Sequence, residues 1–231
     1  MLFTSKQITP QNPVSTGSMS QNPARVSGPK NTSEINLLPL QAILFHLTRN
    51  CAESLGKCVR HFEGEDAWGI GAMPNCMTPA DNLEAEARAL LCNSMLSPDQ
   101  TMDVTVCLKV AADLRTVARC ARQASQLSWL FRQMPNDWEA LEIVLPVGRA
   151  AYQVAIRAAE CVEKNDPILA RDAALLYRRV DLACAEAERI LDCGLGAGTL
   201  TPECCRMVRA AVWFMAIAGE AMARIAARVA L

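Results

Sequence analysis

The chain has 231 residues, of which 51% are apolar but only 5% aromatic, and its formal net charge is −1. This composition, in which Ala, Leu, Val and Met dominate, favours packed helices and argues against a β-sandwich. The nearly balanced charge and a pI near 6.2 give no bulk attraction to nucleic acid, so we expect no nucleic-acid partner.

The first 34 residues differ in composition from the rest of the chain. They are rich in Ser, Asn, Gln, Pro, Gly and Thr and poor in apolar residues. Because such a segment cannot bury enough surface to offset the entropy of ordering, residues 1–34 are predicted to form a disordered tail. No secretory signal is visible.

Six segments then follow in which apolar residues recur at spacings of three and four, which predicts an all-α fold. With near-heptad seams, the predicted helices should form an antiparallel bundle. A stretch with three Gly and two Pro, residues 64–79, is predicted to be a loop between the first two helices. The segments are 35–62, 79–96, 98–132, 137–163, 167–191 and 202–230.

Helix starts are marked by a capping side chain followed by proline at the first helical position. We expect such starts at Thr78-Pro79, Ser97-Pro98, Asp166-Pro167 and Thr201-Pro202. Gly194, in the glycine-rich stretch 192–200, is predicted to cap the end of the fifth helix.

The six helices fall into two sets of three that share an order. Pro98 and Pro202 are 104 residues apart, and Cys58 and Cys161, at the ends of the first and fourth helices, are 103 apart. We therefore predict two tandem three-helix units, 35–134 and 135–231. The alternative to a duplication is chance, because any two helical segments share capping signals and Ala/Leu content.

The eleven cysteines are odd in number and none forms a Cys-x-x-Cys pair. Secreted disulfide frameworks are small and loop-rich, whereas most of these cysteines fall in helical patterns. We expect reduced core cysteines. Cys204-Cys205 is the alternative redox site, because the start of a helix can lower the pKa of a thiol.

The most hydrophobic run, residues 210–219, is only ten residues long. A membrane-spanning helix needs about 20 apolar residues. We therefore expect a soluble, cytoplasmic chain with no membrane span.

Two stretches resemble the PhoU family, regulators of bacterial phosphate uptake built as two tandem three-helix bundles. Residues 169–191 are similar to a stretch in the family's second three-helix unit in which an Asp follows an apolar residue. The corresponding residues here are Val180 and Asp181. Residues 108–125 are similar to the family's Leu-Lys-Ile…Asp-Leu-Glu-Arg-Ile-Gly-Asp helix at Leu108, Lys109, Val110, Asp113 and Leu114. The resemblance covers residues 35–230. It implies a protein partner, either a transporter component or a sensor kinase, with a homodimer as a further arrangement.

The chain departs from this family at the metal-binding signature, which is an acid, three residues and then Asp on the third helix of each unit. Arg115 and Arg119 occupy those places in the first unit, and Ala216 and Glu220 in the second. We therefore expect no cofactor. The alternative is a divalent or iron-type metal bound by acids on the helices, with Asp181 and Glu220 as the candidate ligands.

A candidate interaction surface is formed by Arg115, Arg119 and Arg122, which fall within ~60° of one another on an ideal helix. Such a stripe could dock an acidic partner or bind phosphate, and the alternative is a solvated outer face. The acidic run at 61–66, with His61, Glu63, Glu65 and Asp66, is a weaker metal candidate because a loop does not by itself converge ligands.

The sequence contains no Walker-type loop, no Gly-x-Ser-x-Gly, no His-Glu-x-x-His and no dinucleotide-binding glycine motif. We therefore expect a non-enzymatic regulator or adaptor. Two other classes stay open, a metal-dependent helical bundle or enzyme, and a helical interaction module unrelated to phosphate.

Overall fold

A computed structural model describes residues 36–64, 75–92, 96–133 and 140–230, and these residues form six α-helices with no strand among them. The all-α prediction is confirmed. The predicted tail, 1–34, lies outside the described residues, as does most of the predicted loop at 64–79. The helices are α1 (Leu38–Glu63), α2 (Met77–Leu91), α3 (Pro98–Arg132), α4 (Ala140–Lys164), α5 (Pro167–Gly196) and α6 (Pro202–Val229).

Three of the four predicted starts are confirmed by their capping hydrogen bonds. The Ser97 hydroxyl accepts from the Gln100 N–H, and the Gln100 side chain accepts from the Ser97 N–H, which completes a capping box at the start of α3. Asp166 caps α5 through the Ile168 N–H, and Thr201 caps α6 through the Cys204 N–H. These side chains satisfy backbone donors that would otherwise lack a partner at the first turn.

The predicted start at Thr78-Pro79 is wrong, because α2 begins earlier, at Met77. Asn75 supplies the local contacts instead: its Oδ1 accepts from the Met77 N–H at 3.2 Å and its Nδ2 lies 3.3 Å from the Thr78 hydroxyl. Pro79, the third residue of α2, is tolerated in the first turn because the first N–H groups of a helix make no intrahelical hydrogen bond.

The predicted cap at Gly194 is also wrong, because α5 continues to Gly196. The Gly194 carbonyl accepts from the N–H groups of Thr199 and Leu200, and its missing side chain leaves room for Leu200, whose Cδ1 would lie 2.6 Å from a Cβ there. The reversal falls at Gly198, which has a left-handed φ of 70° that glycine adopts without strain.

Four helices form the centre of the bundle, and two lie outside it. α1 packs against α3 and α4, and α6 packs against α3 and α4. α2 lies mainly on α3, and α5 lies on α4 and α6. The packing of the four central helices is the same when α1 is exchanged for α4 and α3 for α6, as a duplication would give, whereas α2 packs far less on α1 than α5 packs on α4. The two-unit division stays a prediction that superposition of the two halves would test.

Small residues allow close approach at the centre. A Cβ on Gly219 of α6 would lie 3.2 Å from the Ala151 Cβ of α4, and Ala155 and Ala158 of α4 are also fully buried. Dispersion contacts accumulate at such short separations. All eleven cysteines are free thiols, and eight of them are buried, as expected for small core residues.

Candidate functional site

The first cluster of charged side chains joins α2 to α3. Arg115 of α3 donates from Nη1 to Oδ1 of Asp81 over 3.2 Å and from Nη2 to Oε2 of Glu84. Arg88 donates to the other oxygen of Glu84 from Nε at 2.9 Å and from Nη2 at 2.6 Å. Arg88 and then Arg115 hold the pKa of Glu84 below its ordinary value. The carboxylates that α2 presents to α3 are therefore neutralised by arginine.

The three arginines of the candidate interaction surface do not share one environment. Arg115 lies in the α2–α3 contact with 30% of its side chain exposed, whereas Arg119 and Arg122 are exposed. A partner that approached this face would meet Arg119 and Arg122 first. Docking on the stripe stays a prediction, and the structure moves its centre to these two residues.

A second cluster joins α3 to α6 around Asp113, which is buried. Arg224 donates to Oδ1 from Nε at 3.2 Å and from Nη2 at 3.1 Å. Arg228 donates from Nη1 to Oδ2, and the same Nη1 lies 3.2 Å from the Lys109 carbonyl. One carboxylate thus binds two guanidinium groups, which is a strong, charge-assisted arrangement.

Sequence reasoning missed this cluster. Glu220 and Arg224 form an i,i+4 ion pair on α6, with Oε1 of Glu220 2.6 Å from Nη1 of Arg224. The available signal for the rest was that Arg228 continues the helix face of Glu220 and Arg224, while Asp113 of α3 lies between the apolar residues Val110 and Leu114. Asp113 is 111 residues from Arg224 and 115 from Arg228 in the chain, so only tertiary structure brings these groups together.

The two candidate metal ligands, Asp181 of α5 and Glu220 of α6, lie around Tyr177. Burial first, and then the charges of Asp181 and Glu220, raise the pKa of Tyr177 to about 12. Both acids are exposed, and Glu220 is engaged by Arg224. Within the described ranges, no group of three or more His, Cys, Asp or Glu side chains is arranged to bind a metal.

The other sequence candidates lie apart from these clusters. Glu63 accepts from Nε of Arg149 at 2.7 Å and so links α1 to α4, while Glu65 and Asp66 fall outside the described residues. Cys204 and Cys205 are buried in the core at the start of α6. Their thiols are therefore not presented to solvent.

A thiol that the sequence did not single out lies at the start of α2. Cys76 is the residue before the helix, and its Sγ is 3.7 Å from the Ser54 hydroxyl. A hydrogen bond from Cys51 lowers the pKa of Cys76 to about 7, against the effect of burial, and the pKa of Cys51 is raised. Cys76 is only 2% exposed, so its side chain is shielded from solvent.

The grooves that the described residues form between helices include two large ones. One, of about 520 Å³, runs between α1 and α4 over Tyr152 and Ile156, and its rim carries Arg49 and the acids Glu160 and Glu163. The other, of about 680 Å³, lies between the start of α4 and the end of α5. Charges of both signs line them, which indicates no single ligand class.

α6 is long and apolar enough to cross a membrane, with an 18-residue window of mean hydropathy 1.4. The prediction that no helix spans a membrane was based on residues 210–219, an apolar run of only ten residues. Half of this window is buried inside the bundle, against α3, α4 and α5. A core helix meets the same length and composition criteria, so this signal is weak evidence for a span.

Comparisons with solved structures identify the fold. PhoU from Pseudomonas aeruginosa matches with a TM-score of 0.60 and 15% identity, over 84% of this chain and 91% of that one. A PhoU-like protein from Shewanella oneidensis matches with a TM-score of 0.51 and 15% identity, over 82% and 97% of the two chains. No protein-family model and no curated protein matches the sequence. The chain therefore has a PhoU-like fold.

Proposed function

We propose that this chain is a non-enzymatic, cytoplasmic regulator of phosphate uptake that acts by docking to a transporter component or a sensor kinase. The observation that carries the proposal is the likeness of its fold to PhoU over 84% of the chain. The resemblance of residues 108–125 and 169–191 to that family supports it at the level of sequence. A helical bundle regulates by presenting helix faces to a partner, a mode that requires no reactive group.

We further propose that this regulator works without a bound metal. Arg115, at the place of a family acid, instead neutralises Asp81 and Glu84 of α2. Glu220, the one family acid retained on α6, is engaged by Arg224. Guanidinium groups thus supply positive charge where a cation would be needed to balance the carboxylates.

Deletion and co-purification in the native host test the docking role. We expect deletion of the gene to change the rate of radiolabelled phosphate uptake, and the full-length chain to restore it. A tagged chain should co-purify with a phosphate transporter subunit or a sensor kinase. Unchanged uptake together with an unrelated partner would favour the general helical interaction module.

Metal analysis tests the metal-free part separately. Elemental analysis of the purified chain is expected to show less than stoichiometric iron, zinc or manganese, and EDTA should leave Tm unchanged. The convergence of Asp181 and Glu220 on Tyr177 is the observation that favours the alternative, a metal-binding bundle. One equivalent of metal, lost in Asp181→Asn or Glu220→Gln, would establish that alternative.

A further inference from the structure

The outer side of α5 carries an apolar line. Ile168, Leu175 and Leu182 recur every seven residues and are 68%, 51% and 72% exposed. Seven residues are two helical turns, so these side chains lie about 10 Å apart along one line. The opposite side of α5, which includes Ala173 and Val180, is buried against α4 and α6.

This line is not explained by the packing of the bundle. Single exposed apolar side chains are ordinary, but a heptad-spaced row on one helix has the geometry by which helices pair. The three residues span only ~40° of the helix circumference. Such a narrow row suits a partner helix, whereas insertion into a membrane surface needs an apolar face of about 100° or more.

Arginines border the line and lack partners within the described part of the chain. Arg171 and Arg178 lie on one flank and Arg179 on the other, all exposed, and none makes an ion pair or side-chain hydrogen bond with any other described residue. By contrast, Arg189 further along α5 is bound by Glu186. Asp172 is the one half-buried acid at this border. We call these six residues, Ile168, Arg171, Leu175, Arg178, Arg179 and Leu182, the α5 outer face.

A second copy of the chain fits this face poorly. Two α5 helices paired antiparallel, with Leu175 of each copy against Leu182 of the other, would bring Arg178 and Arg179 of both copies to the centre of the contact. Like charges at the centre of an apolar contact are destabilising. The uncompensated arginines therefore call for a partner that brings acids.

We propose that the α5 outer face docks an acidic amphipathic helix of a partner protein, with Leu-like residues at heptad spacing flanked by Glu or Asp. The apolar residues would pack between Ile168, Leu175 and Leu182, and the acids would pair with Arg171, Arg178 and Arg179. This proposal rests on the proposed docking function and names the surface and the partner chemistry for it.

The test uses the full-length chain and a synthetic helical peptide of about three heptads, with Leu at the core positions and Glu on both flanks. Fluorescence anisotropy is expected to give a Kd on the order of 10 µM at low salt, weakened as salt is added. Arg171→Glu, Arg178→Glu and Arg179→Glu together should weaken binding at least about tenfold, and a Lys-flanked peptide should bind this variant better.

Matched variants separate the α5 outer face from general charge attraction. Arg49→Glu with Arg206→Glu removes two exposed arginines from α1 and α6, outside both the α5 outer face and the arginine stripe of α3, and should leave peptide binding within about twofold. Leu175→Gln with Leu182→Gln should weaken binding while circular dichroism and Tm stay unchanged. Equal loss in the control variant and the α5 variants would overturn the proposal. Binding only to anionic lipid vesicles, or light scattering that shows a dimer dissolved by the Leu variant, would also overturn it.

Phosphate uptake measured with the same variants distinguishes failure of the docking surface from failure of the function. If the full-length chain restores uptake and the α5 charge-reversed variant restores it equally, the α5 proposal is overturned and the function stands. If deletion leaves uptake unchanged but the acidic peptide binds with the expected variant pattern, the phosphate role is overturned and the docking surface stands.

Discussion

Asp113 links α3 to α6, and we expect the substitution Asp113→Asn to destabilise the whole bundle. Its carboxylate, with only 10% of the side chain exposed, accepts hydrogen bonds from both Arg224 and Arg228. Asn keeps one carbonyl oxygen that can still accept from Arg224. Its NH₂ group would face the donor of Arg228, so that contact is lost and a donor is placed against a donor.

The size of the loss in unfolding free energy depends on how well water can solvate Arg224 and Arg228 once the Asp113 carboxylate is gone. Breaking a buried ion pair costs about 3–5 kcal/mol when the remaining charge stays buried, and a hydrogen bond to a charged group is worth about 1.5–3 kcal/mol. Here Arg224 and Arg228 keep 37% and 30% of their side chains exposed, so solvent can receive both cations. We therefore expect a loss of about 2 kcal/mol in the free energy of unfolding.

Urea denaturation followed by circular dichroism measures this loss, and Tm should fall by about 4–8 °C for a domain of this size. Glu86→Gln is the matched control, because Glu86 is exposed on α2 and makes no ion pair with the other described residues. We expect a change below about 0.5 kcal/mol there. A double-mutant cycle with Arg228→Gln should show a coupling of about 1 kcal/mol or more. If Asp113→Asn costs no more than Glu86→Gln, the reasoning is refuted.

Three further changes probe the cap, the core and the helix contacts. Ser97→Ala should destabilise by about 1 kcal/mol and Ser97→Gly by a few tenths, in urea midpoints; equal effects would contradict the capping box. Burial raises the pKa of the Cys58 thiol from 9.0 in the unfolded chain to about 12 in the folded protein. The neutral thiol therefore contributes its full stabilisation below pH 9 and loses it as pH rises toward 12. The unfolding free energy should fall between neutral pH and about pH 10, and Cys58→Ala should make that fall smaller by roughly 1 kcal/mol. Gly56→Ala should destabilise the protein by about 1 kcal/mol, because the added Cβ would lie 2.6 Å from the Tyr152 ring. In a Tyr152→Ala background that clash is absent, so the higher helix propensity of Ala should make the same substitution stabilising by about 1 kcal/mol.

The helices and most of their starts could be predicted from the sequence because their causes are local. The 3–4 spacing of apolar residues gave six segments, and Ser97, Asp166 and Thr201 cap their helices through N–H groups two or three residues away. The two wrong predictions, at Thr78 and Gly194, fall where a neighbour competes. The Asn75 side chain accepts from the N–H of Met77 and lies 3.3 Å from the Thr78 hydroxyl, and Leu200 folds back over Gly194.

The charged clusters could not be predicted because their partners lie far apart in the chain. The sequence marked Arg115 as part of a helix stripe, yet its side chain is drawn out of that stripe by Asp81 and Glu84 on another helix. The α5 outer face shows the converse case. Ile168, Leu175 and Leu182 have the spacing of a seam, and only the packing of α5 shows that the bundle uses the opposite side.

Arginines balance the carboxylates at two helix contacts of this PhoU-like bundle. A carboxylate at a helix contact is stabilised by a nearby cation, and a bound metal would make such a contact dependent on metal supply and pH. Here the positive charge belongs to side chains of the protein itself. Arg115 of α3 pairs with Asp81 and Glu84, and Arg224 and Arg228 of α6 pair with Asp113. Because a guanidinium stays protonated at any physiological pH, the α2–α3 and α3–α6 contacts need no ion to form. Under the proposed function, the signal would then come from a partner that docks on the helix faces and not from a bound ion.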